Sequence, residues 1–256
     1  RLARTMKLRL ALFASFLLTA CSVPRFEATP SYGFSKLSGD FAIATGSISS
    51  TNDVKDIGLG DREGAPGARV DLQWGSPHLS VEIVQTNSEG SGTTTADLTQ
   101  GSTTISAGTD VDSKVDLTYG NAIVTFDFVP SDAVEVGLGF GLEAASVQTK
   151  VKPTGLGAGI DTDESAPVPV VALRAGVDLG PISVDGLLSG IQIDYGGDSL
   201  TFYDLDLRAR WEMYDHAHLL VGYRDWKVDL DYEDGADNVK LDVTSSGPYF
   251  GLVIAF

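Results

Sequence analysis

The chain has 256 residues, with 35 Asp or Glu against 18 Lys or Arg, a net charge of −17 and one cysteine. That balance excludes nucleic-acid binding, which needs clustered basic side chains to neutralise phosphates, and a lone cysteine excludes an intramolecular disulfide. Glycine is abundant at 29 residues, and apolar residues recur in short alternating runs set off by Gly, Asn and Asp, the pattern of an all-β chain.

Residues 1–20 read as a secretory signal peptide. Met6 is the expected start, Lys7 and Arg9 give a positive n-region, and Leu10 to Leu18 form an apolar core too short to cross a bilayer as a helix. Leu18-Thr19-Ala20-Cys21 resembles a bacterial lipobox, which makes Cys21 the expected site of cleavage and lipidation; the competing reading is ordinary signal-peptidase cleavage after Ser22. The signal holds four basic residues and no acid, so the remainder carries 14 basic residues and a net charge of −21. Residues 21–33 contain Pro24 and Pro30 without a clear period and read as a tether.

From residue 34 to residue 256 the chain reads as one unit. The first strand is expected from Leu37 to Ile48, followed by a polar loop from Ser49 to Gly67. Ala68, Val70, Leu72 and Trp74 then alternate with Arg69, Asp71 and Gln73, and Gly75-Ser76-Pro77 turns the chain into Leu79, Val81 and Ile83. A second long loop, with room for a hairpin, covers Asn87 to Asp112. In the next strand Val115, Leu117 and Tyr119 have one parity and Ala122, Val124, Phe126 and Phe128 the other, which predicts a bulge near Gly120-Asn121. Val134, Val136, Leu138, Phe140 and Leu142 oppose Glu135, Gly137, Gly139, Gly141 and Glu143 without interruption.

After a third loop, Lys150 to Ala166, comes a strand with Val171, Leu173 and Val177 on one face and Arg174 on the other. Ile182 to Tyr195 follows with an ambiguous face. Tyr203, Leu205, Leu207 and Trp211 then oppose Asp204, Asp206, Arg208 and Arg210. His218 to Tyr232 rises with a bulge expected near Arg224-Asp225, an acidic loop follows, and Leu241 to Phe256 ends the chain. In the terminal strand Phe250, Leu252, Ile254 and Phe256 share a face opposite Tyr249, Gly251 and Val253.

Long polar loops alternate with tight turns, and each apolar face covers the ~9–11 residues that a tilted membrane strand requires. The expected fold is therefore all-β: a transmembrane antiparallel up-and-down β-barrel of about ten strands, eight being the alternative count. With Phe256 at the periplasmic end, Trp74, Phe128 and Trp211 fall at one interface, and Tyr195, Tyr203, Trp226 and Tyr232 near the other, as two aromatic belts.

The terminal strand resembles the membrane-insertion signal of bacterial outer-membrane barrels, carried here by Tyr249, Phe250, Leu252, Ile254 and Phe256. Four short stretches, Asp56-Ile57-Gly58-Leu59, Ala166-Pro167-Val168-Pro169, Gly222-Tyr223-Arg224 and Gly247-Pro248-Tyr249 with the final Phe256, resemble a poorly characterised family of small Gram-negative outer-membrane β-barrel proteins. The resemblance covers most of Asp56 to Phe256. It implies that fold, a location in the bacterial outer membrane and no reaction. Expected partners are outer-membrane lipids, lipopolysaccharide and, through the last strand, the barrel-assembly machinery. The barrel is expected to be a monomer without cofactor or metal.

Chemistry has few candidates. His78, His216 and His218 all map to turns at the periplasmic end, away from outer-leaflet substrates, and read as polar turn residues. The acidic stretch from Asp229 fails as an EF-hand loop, because Asp234 stands where that loop needs Gly. The inward-facing positions collect Arg69, Asp71, Glu82, Asp127, Glu135, Glu143, Arg174, Asp204, Asp206, Arg208, Arg210 and Arg224, and no Lys. Arginine offers a planar fork for bidentate carboxylate pairing, so the expected lumen is filled by an Arg–carboxylate network. The expected role is structural or interaction-based rather than enzymatic. A narrow porin-like channel is the alternative, and an outer-leaflet lipid-modifying enzyme is third.

Overall fold

The computed structural model describes residues 24–45, 51–100, 102–129, 131, 133–155, 157–195, 198–234 and 237–256. Ten long strands form one closed antiparallel ring: β1 (Arg25–Thr45), β3 (Arg62–Gln73), β4 (Pro77–Thr93), β7 (Asp110–Asp127), β8 (Val134–Pro153), β9 (Ile160–Asp178), β10 (Ile182–Tyr195), β11 (Asp198–Tyr214), β12 (Ala217–Asp234) and β13 (Asp237–Ala255). The short β2 (Asn52–Asp53) and the hairpin of β5 (Leu98–Gln100) and β6 (Thr103–Ile105) belong to two connections at the end remote from the termini. The ring closes where β13 pairs with β1, from Glu27↔Ala255 to Thr45↔Asp237. Closure removes the sheet edge, the only arrangement in which strands satisfy their backbone groups inside lipid.

The outer wall is apolar around the near half of this ring. Phe140 and Val171 are 63% and 69% exposed, and Ile83, Leu138, Leu142, Leu207, Val221 and Phe250 point the same way. Such a continuous apolar exterior far exceeds the patches that water tolerates; its solvent is lipid. Trp74, Phe128, Trp211 and Phe256 are exposed at the terminal end, where Phe26 and Phe256 bring their rings to 5.6 Å.

Several strands are much longer than a membrane crossing demands: 21 residues in β1, 20 in β8 and 19 in each of β9 and β13. The ring thus extends well beyond the apolar band, and its two halves have inverted insides. Far from the termini the exterior is polar, with Lys114 on Glu89, Lys227 on Asp242, Lys150 on Asp161 and Lys240 on Asp231. The interior there is apolar: Leu117, Tyr119, Val151, Val170, Phe202 and Trp226 belong to one buried cluster. Trp226 stacks on Tyr119 at 5.5 Å and meets Phe202 edge-on at 5.7 Å.

This inversion corrects three readings. β7 pairs with β4 and β8, and β12 with β11 and β13, without a register shift near Gly120 or Arg224, so neither expected bulge exists. The change of apolar parity along β7 is real, but it records a change of surroundings at constant register: Tyr119 faces an apolar interior, Val124 faces lipid. For the same reason Trp226 is buried inside and is not part of an outer aromatic belt. The irregularity in these ladders lies instead between Glu212 and Tyr214.

The boundaries also move. β1 begins at Arg25, so the segment read as a tether is barrel wall from that residue onward, paired on both sides. The expected third loop is mostly strand, β8 running to Pro153 and β9 starting at Ile160. Residues 51–61 are not a solvated loop. They fold into the far mouth and bury Val54, Ile57 and Leu59 against the apolar cluster.

Removing Trp226 should hollow out the far half. Trp226→Ala is expected to cost about 3–5 kcal/mol, read as a lower temperature of conversion from folded to unfolded mobility on a gel, whereas Trp211→Ala on the lipid face should shift it far less. Equal shifts would mean that the far half has no core of its own.

Candidate functional site

Below the apolar cluster the lumen is charged, and its arginines cross between strands. On β3, Arg69 chelates Asp71 through Nε at 2.8 Å and Nη2 at 2.9 Å, and reaches across the lumen to Asp206 of β11 at 3.0 Å. Ser80 of β4 donates to Asp71 at 2.6 Å and accepts from Arg69 at 3.0 Å. Arg208 of β11 binds Asp185 of β10 through Nε at 2.9 Å and through Nη2. Arg210 pairs with Glu27 of β1 at 3.0 Å and lies 3.4 Å from Asp185. Arg224 of β12 holds Asp204 through two nitrogens and Glu82 of β4 at 2.8 Å, and its guanidinium lies 5.0 Å from the centre of the Tyr119 ring. Nearer the terminal end, Arg174 of β9 meets Glu135 of β8 at 3.3 Å.

Arg69, Arg174, Arg208 and Arg224 are all buried, as are Glu82, Glu143, Asp185, Asp204 and Asp206. A guanidinium in such a place is stable only when forked against carboxylates, and it then fixes the strands that carry them. Because β11 contributes Asp204, Asp206, Arg208 and Arg210 from one face, it touches partners on β1, β3, β10 and β12. Strand alternation alone puts these four on one side.

The expected lumen residues converge. Arg208 was expected to point inward with Asp204 and Asp206; its chief partner is Asp185, which lay on the strand of ambiguous face, with Asp206 at 3.6 Å. Arg210 uses Glu27, which lay in the expected tether. No ion pair among the described residues reaches Glu143; Ser189 donates to it at 2.7 Å instead. Asp127 is inward-facing, with one oxygen lacking a hydrogen-bond partner. His78 is no turn residue: it opens β4 and is buried inside, while His216 is exposed at a turn. Tyr249 departs from the other residues of the terminal signal, since its hydroxyl donates to Asp206 inside the lattice while Phe250 and Phe256 face outward. Cys21 lies outside the described residues.

Two of the short stretches named above have clear physical roles. At Asp56-Ile57-Gly58-Leu59 the backbone lies directly on β4: Thr93 donates to the Asp56 carbonyl at 2.8 Å, and a Cβ at Gly90 would come within 1.8 Å of the Gly58 oxygen. Gly58 itself has φ +84°, which L side chains avoid. That docking swings Ile57 and Leu59 into the mouth. Asn52, fully buried, ties the same segment to the β5–β6 connection by accepting from Thr95 and Ala96 at 2.9 and 3.1 Å. In Gly222-Tyr223-Arg224 the glycine makes room for the Tyr249 ring, which would lie 2.3 Å from a Cβ there, and the arginine is part of the lattice.

No family model and no curated protein matches this sequence. Among solved structures the fold is similar to that of the outer membrane protease OmpT from Escherichia coli, with a TM-score of 0.59 over 91% of this chain and 97% of that one, at 10% identity. The translocator domain of the autotransporter NalP from Neisseria meningitidis aligns with a TM-score of 0.41 over 99% of this chain and 96% of that one, at 10% identity. Neisserial surface protein A aligns at 0.36 over 90% and 97%, at 15% identity. What the first of these shares with this chain is the fold. Joined to the apolar exterior, that fold makes the chain a bacterial outer-membrane β-barrel.

Breaking one member of the lattice leaves buried charge behind. Arg208→Ala should destabilise the barrel by about 3–5 kcal/mol, while Lys240→Ala, at an exposed pair 3.6 Å from Asp231, should change stability by less than about 1 kcal/mol. Comparison of urea midpoints for the two variants checks this, and equal midpoints would remove Arg208 from any supporting role.

Proposed function

We propose that this barrel is a closed outer-membrane protein with a structural or interaction role, not a pore and not an enzyme. The observation that carries the reading is the two-layer filling of the lumen. A forked arginine–carboxylate lattice occupies the near half, and an apolar cork formed by Ile57, Leu59, Leu98 and Ile105 with the wall residues occupies the far half. An aqueous path would have to break both, and the two respond to opposite solvents: water loosens ion pairs and tightens apolar contacts.

In this reading the termini and tight turns are periplasmic, and the tall hairpins with their acidic, lysine-bridged exterior face outward among lipopolysaccharide head groups. The terminal strand, whose Phe250, Leu252 and Phe256 face lipid, is offered to the assembly machinery. Cys21 carries a lipid anchor placed four residues before the first wall strand, so the acyl chain enters the leaflet at the barrel's periplasmic end. The function is then display and anchorage by a rigid cylinder.

Single-channel recording of refolded protein in a planar bilayer tests the closed lumen. The unmutated barrel should give no stable conductance, and Arg208→Ala should introduce intermittent leak. A large steady conductance that Arg208→Ala leaves unchanged would establish the narrow-channel alternative. Mass spectrometry of the mature amino terminus should show an acylated cysteine; an unmodified terminus at Val23 would mean ordinary cleavage.

A further inference from the structure

The lattice contains a row that does not balance. Glu82 on β4, Asn121 on β7 and Glu143 on β8 are direct cross-strand neighbours, Glu82↔Asn121 and Asn121↔Glu143. All three face the lumen, at 7%, 6% and 2% exposure. Oδ1 of Asn121 and Oε2 of Glu143 have no hydrogen-bond partner, and Oε2 of Glu82 has none either, meeting only Nη1 of Arg69 at 3.6 Å. Buried acceptors are normally satisfied, and two orphans side by side on β7 and β8, next to a carboxylate oxygen held only by a long ion pair on β4, depart from that rule.

Charge around the row is also one-sided. Glu82 shares Arg224 with Asp204 and is 3.6 Å from Arg69, which already serves Asp71 and Asp206. Glu143 has no cationic partner among the described residues, only the Ser189 hydroxyl. Two carboxylates and an amide carbonyl make an all-oxygen donor set, which suits hard cations and excludes soft ones. No three His, Cys, Asp or Glu side chains among the described residues sit together as a metal-holding group; here the third donor is Asn121, outside those residue types.

We propose that Glu82, Asn121 and Glu143 form a cation site inside the barrel that takes a calcium-class divalent ion, completed by water. Calcium fits better than magnesium because it accepts irregular oxygen geometry and variable coordination number. Three protein donors give weak affinity, with a dissociation constant on the order of 0.1–1 mM, like extracellular calcium modules. The ion would bridge β4, β7 and β8 where no arginine does, and complete the lattice on the side opposite Arg208.

The test uses the whole refolded barrel in detergent at constant ionic strength, comparing melting midpoints in EDTA with those in 10 mM CaCl2. Calcium should raise the unmutated midpoint by several degrees. Asn121→Leu and Glu143→Gln should lose that rise, and Asn121→Asp should bring calcium binding to about tenfold lower concentration. A second readout does not depend on stability. Terbium should luminesce on tryptophan excitation, because Trp226 stacks on Tyr119, two residues from Asn121, and the signal should vanish in Asn121→Leu. An equal calcium shift in Asn121→Leu and the unmutated protein would assign the ion to surface acids and overturn the site. Stabilisation by acid, with no response to calcium or terbium, would show that Glu143 simply holds a proton and would overturn it as well.

Discussion

A barrel strand in a membrane has a different solvent on each face, and everything else in this molecule answers to that constraint. Outside is lipid, so Phe140, Val171 and their neighbours project outward, and every polar side chain of the crossing segment is forced inward. Inside, nine-residue stretches of ten strands deliver more charge than so narrow a space can hydrate. Arginine resolves this because its fork binds two oxygens at once and keeps its charge in any surroundings. Arg69, Arg208 and Arg224 each join carboxylates from separate strands, so the forced inward charge becomes the cross-bracing of the cylinder.

The far half obeys the same alternation with the solvents exchanged. Once the wall clears the lipid its exterior meets water, the lysine–carboxylate pairs move outside, and the apolar residues turn in. Two sides of the upper wall then pack across the lumen around Tyr119, Phe202 and Trp226. The packing is sealed by residues 51–61, which approach β4 backbone to backbone through Gly58, Gly90 and Gly92. Tyr119 belongs to both layers: its ring stacks on Trp226 above and lies 5.0 Å from the Arg224 guanidinium below. The junction between charged and apolar filling is therefore a cation–π contact, which tolerates a polar partner on one face and an apolar one on the other.

Alternation along each strand by itself determined the fold class, the outward set and most of the lattice members, because period-two patterning is a local property of the backbone. Arg174, Asp204, Asp206, Arg208 and Arg210 were legible as inward from their neighbours alone. The apolar parity switches at Gly120 and Arg224 were visible too, but their cause was not. A bulge and a change of solvent leave the same trace in sequence, and only the unbroken registers of β7 and β12 distinguish them.

Pairing across the lumen was decided by the tertiary structure. Which carboxylate an arginine finds depends on which strands lie beside it and across from it, so Arg208 takes its cross-strand neighbour Asp185, Arg210 reaches Glu27 on β1, and Glu143 is left with a serine. Glu27 could not be recognised because prolines at 24 and 30 mask the period of β1, although Pro30 is accommodated where the β1–β13 ladder skips a rung. Tyr249 was read as part of the terminal signal on the face opposite Phe250, and the structure makes it a lattice donor, with Gly222 on the adjoining strand leaving space for its ring. The sequence determined which way most side chains point, since alternation is set by the residue next to each; the structure decided Trp226, the face of β10 and what each side chain meets, since those depend on other strands.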